Sequence, residues 1–184
     1  MPDRDVKTIR HLIYYQYAKI VAKSALGVNA KKQSYGFIKD TFKKFVSSEK
    51  QWSDILREDK QFIQSDKKCI YCGREENLTW EHIVPKSLSI NDRCKECDRI
   101  QGVHNMIWAC ALCNSKKGTK GVYHFFREID SGNKKFYDAI PSLLEKKYLK
   151  TIYFCHICNG TIDCGNLDGD GELTVLDLDE YFKK

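Results

Sequence analysis

Trp80-Glu81-His82-Ile83-Val84-Pro85, read together with His104-Asn105-Met106-Ile107-Trp108-Ala109-Cys110-Ala111-Leu112-Cys113-Asn114, decides the fold. The first run sets an acid beside a histidine, and the second supplies two asparagines. Cys69-x-x-Cys72 stands before the histidine and Cys110-x-x-Cys113 after it, two knuckles with the ligand spacing of one tetrahedral zinc site. Four thiolates close such a tetrahedron and leave no position for substrate, so Zn²⁺ on Cys69, Cys72, Cys110 and Cys113 is expected to be structural. Apolar and β-branched residues make 79–84 one strand and 105–109 a second. Asn114-Ser115-Lys116-Lys117 then opens a short helix that ends near Gly118.

Outward from this centre the chain reads as helical. Ile9, Leu12, Ile13, Ile20 and Val21 recur at helical spacings with Arg10, Lys19 and Lys23 between them, which predicts an amphipathic helix over 4–26. Phe37, Ile38, Phe42, Phe45 and Val46 predict a second over 36–46. Trp52, Ile55, Leu56, Phe62 and Ile63 predict a third. Residues 122–130 and 134–150 repeat the pattern, with Pro141 splitting or starting the later piece. The expected fold is α+β and mainly helical: a small zinc-stapled core over 67–121, a basic helical segment over 1–66 and a helical C-terminal extension over 122–184. No Gly/Ser-rich linker divides them, so one compact unit is expected.

Charge and cysteine content narrow the function classes. The net charge of +6 divides into +7 over residues 1–68, +4 over 69–158 and −5 over 159–184. A positive body attracts phosphate backbones through counterion release. Eight of the nine cysteines fall in Cys-x-x-Cys pairs, and the opening Met1-Pro2-Asp3-Arg4-Asp5 lacks a signal-peptide apolar core. Both features favour thiolate–metal sites in a reducing, cytoplasmic compartment over a disulfide scaffold. No apolar run approaches the roughly 18 residues of a membrane span, so no membrane partner is expected.

Cys69-x-x-Cys72, Glu81-His82-Ile83-Val84-Pro85-Lys86-Ser87, Asn105 and Cys110-x-x-Cys113-Asn114-x-x-Lys117-Gly118 together resemble the HNH endonucleases of the ββα-metal, His-Me finger class. The resemblance covers about 50 residues and implies a DNA endonuclease. It implies that His82 is the general base that activates water, a role suited to a side chain whose pKa lies near neutrality. Asn105 would orient the histidine. Glu81 and Asn114 would hold Mg²⁺ or Mn²⁺, hard ions that prefer oxygen ligands. Lys117 is the implied phosphate contact. Glutamate at 81 and asparagine at 114 replace the commoner aspartate and histidine, which makes the chain an HNN variant.

Two features lie outside that frame. Cys94 and Cys97 fall in the connection between the strands and, with Cys155 and Cys158, form a candidate second Zn²⁺ site, Cys164 being a substitute ligand. In the tail, Asn166-Leu167-Asp168-Gly169-Asp170-Gly171-Glu172-Leu173-Thr174-Val175-Leu176-Asp177 resembles an EF-hand or dockerin Ca²⁺ loop. Its competing reading is an acidic turn that caps a terminal helix over Asp177–Phe182.

The expected function is therefore a metal-dependent DNA endonuclease, with a restriction or anti-phage setting implied by the resemblance. The alternative is a zinc-stabilised module that binds nucleic acid, or docks in a larger defence complex, without catalysis. A homodimer is expected if the target is palindromic.

Overall fold

A computed structural model describes residues 4–26, 31–50, 65–86, 98–130 and 135–180. The fold is mainly helical α+β with one small two-stranded sheet. The third helix expected over 52–63 lies outside the described residues. The chain divides into two compact units whose limits cut across the segments expected from sequence: residues 1–53 with 153–181, and residues 54–152 with 182–184. The expected single compact unit is thus replaced by two. The last part of the chain joins the N-terminal helices because α1 takes its N-terminal hydrogen bonds from residues 162–164, as follows.

In the first unit, α1 (Ile9–Leu26) falls within the helix expected over 4–26. Nine of its eighteen residues are buried, including Gln16 as well as Ile9, Leu12, Ile13 and Ile20. Helix α2 (Lys31–Val46) lays Phe42 and Phe45 against it: Phe42 meets His11 and Tyr15 edge-on, while Phe45 stacks on Tyr14 and meets Tyr17 edge-on. The amides of the first helical turn need outside acceptors. Ile9 donates to the Cys164 carbonyl and Arg10 to that of Ile162, both at 2.8 Å. Arg10 also forks onto Asp163, with Nε–Oδ1 at 2.9 Å and Nη2–Oδ2 at 3.1 Å. Gly165 follows because a Cβ there would come within 2.9 Å of the Lys7 carbonyl.

The second unit is built on an antiparallel pair, β1 (Leu78–His82) and β2 (Met106–Cys110), in which Trp80 faces Trp108 and His82 faces Met106. A four-residue helix α3 (Asp98–Gln101) and a 3₁₀ turn (Val103–Asn105) lead into β2, so His104 belongs to that turn and not to the strand. Helix α4 (Ala111–Lys117) follows β2 directly. It starts three residues earlier than the sequence implies, which carries Cys113 onto the helix. Helix α5 (Val122–Ile129) buries Phe125 and Phe126 against Tyr71. Its Tyr123 hydroxyl donates to Glu145 at 2.9 Å; Glu145 lies on α6 (Ser142–Cys158), whose residues 142–152 belong to this unit. Among the described residues no helix is long and apolar enough to cross a membrane.

Candidate metal centre and nuclease site

The zinc knuckles are set by backbone geometry. After Cys69 the chain turns back, Gly73 donating to the Cys69 carbonyl and Cys69 to the Arg74 carbonyl, each at 2.8 Å. Gly73 takes φ +75°, a left-handed conformation that suits glycine. Ile70 donates to the Trp108 carbonyl at 3.0 Å and ties this turn to β2. Cys110 ends β2 at the N-cap of α4, and Cys113 lies on that helix's first turn. The four sulfurs consequently lie within 4.8 Å of one another, with Cys72 Sγ and Cys110 Sγ at 3.8 Å. A Zn–S bond of about 2.3 Å gives a tetrahedral edge of about 3.8 Å, so the set fits Zn²⁺. The thiols interact strongly. The backbone amide of Cys113 brings Cys110 down to about 7, whereas burial and the neighbouring sulfurs push Cys113 well up. A cation that holds all four as thiolates removes that conflict.

His82 closes β1. Alternation puts Leu78, Trp80 and His82 on one face of the strand and Thr79 and Glu81 on the other. His82 Nε2 is shielded from solvent and has no hydrogen-bond partner among the described residues. Burial, then the charges of Lys86 and Lys117, lower its pKa, so the ring is neutral at neutral pH. A buried ring nitrogen with no partner is rare enough to call for an explanation.

Asn105 acts on the chain just beyond the histidine. It is fully buried. Its Oδ1 accepts from the Val84 amide, and its Nδ2 donates to the carbonyls of Val84 and Ile100, all at 2.9 Å. Its own carbonyl accepts from Ile83 at 2.8 Å. The side chain thus clamps residues 83–84 and fixes where β1 ends; it makes no hydrogen bond to the imidazole among the described residues.

On the opposite face of β1, Thr79 and Glu81 meet Asn114 and Lys117 of α4. Asn114 Nδ2 donates to Thr79 Oγ1 at 3.2 Å. One turn later, Lys117 Nζ reaches Glu81 Oε1 at 2.8 Å, both side chains at 5% exposure or less, and also donates to the His82 carbonyl at 3.3 Å. Lys117, expected to contact phosphate, is therefore buried and engaged as a clasp between α4 and β1. Burial raises the Glu81 pKa and Lys117 opposes that rise. The carboxylate expected to hold a divalent ion already has its charge balanced by an ammonium, so Glu81 with Asn114 does not fit Mg²⁺ or Mn²⁺ as they stand. Sequence reasoning missed the Lys117 clasp because a lysine at the end of a short helix reads as solvated.

Outside this centre, the candidate second zinc site is only half described, since Cys94 and Cys97 lie outside the described residues. Cys155, Cys158 and Cys164 form no disulfide among the described residues, and the four knuckle cysteines are the one cluster of metal-ligating residues among the described positions. In the tail, Asp177 is a buried hub: Oδ1 accepts from Leu167 at 2.7 Å and Oδ2 from Thr174 at 2.8 Å. Asn166, Asp168 and Asp170 each accept from an amide two or three residues on. The loop leads into a 3₁₀ turn, Asp177–Asp179, where a terminal helix is expected.

Residues 69–120, a little over a quarter of the chain, match the family model for HNH endonuclease. No curated protein and no solved structure matches the chain significantly. The hairpin, the four-thiol cluster and α4 all fall within the matched span, and the cluster is consistent with a zinc-binding variant of the HNH domain.

Proposed function

We propose that this chain is an endonuclease that hydrolyses DNA phosphodiester bonds, with His82 as the general base. The observation that carries the reading is the setting of His82: its pKa is lowered by burial and by two neighbouring lysines, its Nε2 is buried with no hydrogen-bond partner among the described residues, and it stands at a strand end clamped by Asn105. A neutral imidazole takes a proton from water as the water attacks phosphorus, and positioned bases of this kind contribute about 10²–10⁴-fold to rate. Asn105 is a positioning residue. A divalent ion, when bound, would stabilise the charge that develops on the phosphate. The resemblance gives Asn114 a share in such a site, and Glu81 would join it only if Lys117 lets go.

Nicking of supercoiled plasmid in the presence of Mg²⁺ or Mn²⁺ tests this. Cleavage by the wild type and a loss of at least 100-fold in His82→Ala are expected; equal rates would refute the base assignment. DNA binding with no cleavage under either ion would favour the alternative, a zinc-stabilised binding or docking module. A restriction or anti-phage role is a further reading, tested by plating phage on cells that carry the gene or its His82→Ala form. Staggered cuts at a palindrome would support a dimer. Calcium in the 166–177 loop rests on the hydrogen-bonding of that loop, and a calorimetric titration with Ca²⁺ decides it.

A further inference from the structure

The open face of the HNH hairpin carries an aromatic pair that neither the zinc centre nor the general base uses. Trp80 and Trp108 face each other across the strands with ring centroids 4.1 Å apart and planes tilted by 31°. A cross-strand pair of this kind stabilises a hairpin, yet its placement inverts the usual order. Trp80 is 47% exposed, while its charged neighbour Glu81 is buried. The Lys67 ammonium lies 5.6 Å from the Trp108 ring. Lys86 lies close enough to His82 to lower its pKa. The face therefore combines indole surface with a cation at its edge, the combination that binds single-stranded nucleic acid: cations track the backbone, and aromatic rings receive the bases.

Its position relates it to the chemistry. Trp80 is two residues before His82 on the same face, a step of about 6.7 Å along a strand. In stacked duplex, successive nucleotides on one strand are about 3.4 Å apart, and every base has both faces covered by its neighbours. An indole beside the scissile phosphate can stack only on a base that has left the duplex. A strand drawn out along the hairpin, with its phosphate at His82, brings the adjoining base over Trp80.

We infer that Trp80, backed by Trp108, is a stacking platform for an unpaired base next to the phosphate attacked at His82, so that the preferred substrate is single-stranded or locally unpaired DNA. This rests on the nuclease reading for the identity of the strand, but its test does not require cleavage. The full chain carrying Trp52→Phe, which leaves Trp80 and Trp108 as the tryptophan reporters, is titrated without added divalent ion. One titrant is a single-stranded oligonucleotide and the other a blunt duplex of the same sequence. Quenching of tryptophan fluorescence by the single strand and little or none by the duplex is expected. Trp80→Ala should weaken single-strand binding by roughly 5- to 150-fold, the range for loss of one base–aromatic stack. Duplex binding should change less than about twofold on the same scale, and Trp80→Phe should restore most of the single-strand affinity. Zinc content reports whether each variant keeps its fold, and the wild-type titrations decide the matter if Trp80→Ala does not. Equal quenching by both oligonucleotides, no quenching by either, or equal loss of both affinities in Trp80→Ala overturns the platform. Plasmid nicking that survives such a result leaves the nuclease reading intact, whereas strand-selective quenching without nicking removes the nuclease reading and keeps the platform.

Discussion

Replacing Lys117 by methionine keeps the length of the side chain and removes the charge that balances Glu81. At 2.8 Å, with an effective dielectric constant near 20, the gross attraction is about 6 kcal/mol. Much of that attraction offsets the desolvation of both groups, so its magnitude is not the contribution of the pair to stability. What the variant leaves behind is a buried carboxylate with no partner, and breaking buried pairs in this way costs about 3–5 kcal/mol. The lost hydrogen bond to the His82 carbonyl adds about 1 kcal/mol. Against total stabilities of about 5–15 kcal/mol this is a severe loss. It should also depend on pH with a definite sign. Burial already raises the Glu81 pKa, and removing Lys117 raises it further. Between the ordinary value of 4.5 and the raised one, the unfolded chain is ionised while the folded chain keeps its proton. Stability therefore falls as pH rises through that window, by up to about 1.4 kcal/mol per unit. Urea unfolding of wild type and Lys117→Met at pH 5 and pH 8, without added divalent ion, should show the larger deficit at pH 8. The double variant Glu81→Leu/Lys117→Met should recover most of the loss, since apolar replacement of a buried pair is often neutral. A deficit below about 1 kcal/mol at pH 8, a pH-independent deficit, or a double variant as unstable as the sum of the singles would refute the clasp.

Other expectations follow from the same structure. Asn105→Ala removes three side-chain hydrogen bonds and leaves buried backbone groups of Val84 and Ile100 unpaired; a loss of about 3 kcal/mol in urea unfolding is expected, with plasmid nicking falling too. One equivalent of Zn²⁺ should be held by the four knuckle thiolates, and Cys113→Ser should lower the metal content measured by mass spectrometry; a second equivalent in the wild type would point to Cys94, Cys97, Cys155 and Cys158. His156 is buried, with Nδ1 bonded to Thr161 at 2.8 Å and Nε2 to the Leu178 carbonyl at 3.2 Å, and burial lowers its pKa to about 4. Because the unfolded chain binds the proton first, its contribution is present above pH 6.5 and is lost as pH falls toward 4, in total about 3 kcal/mol. Thermal melts of His156→Gln should show a flatter acid limb than wild type across that window; an identical acid limb would remove His156 as the cause.

How far the sequence carried the reading depends on the range of the interaction that sets each feature. Knuckle spacing, strand alternation and the Glu81-His82 pair are local patterns, and a tetrahedral metal has one geometry, so the zinc ligands, the hairpin and its order of elements were legible before any coordinates. So was the mainly helical character, because apolar residues three and four apart mark one face of a helix. Interactions between distant segments were not legible. What covers the buried side and first turn of α1 depends on Phe42, Phe45 and the carbonyls at 162 and 164 arriving from far along the chain. That residues 153–181 join the N-terminal helices depends on the same backbone bonds. Lys117 gives the clearest case. By composition it is a surface cation suited to phosphate, but α4 starts at Ala111 and thereby turns the lysine inward onto Glu81. The sequence by itself determined which residues can ligate zinc. Only the tertiary structure decided which charges are spent on each other, because burial and partner distance are properties of packed elements and not of residue order.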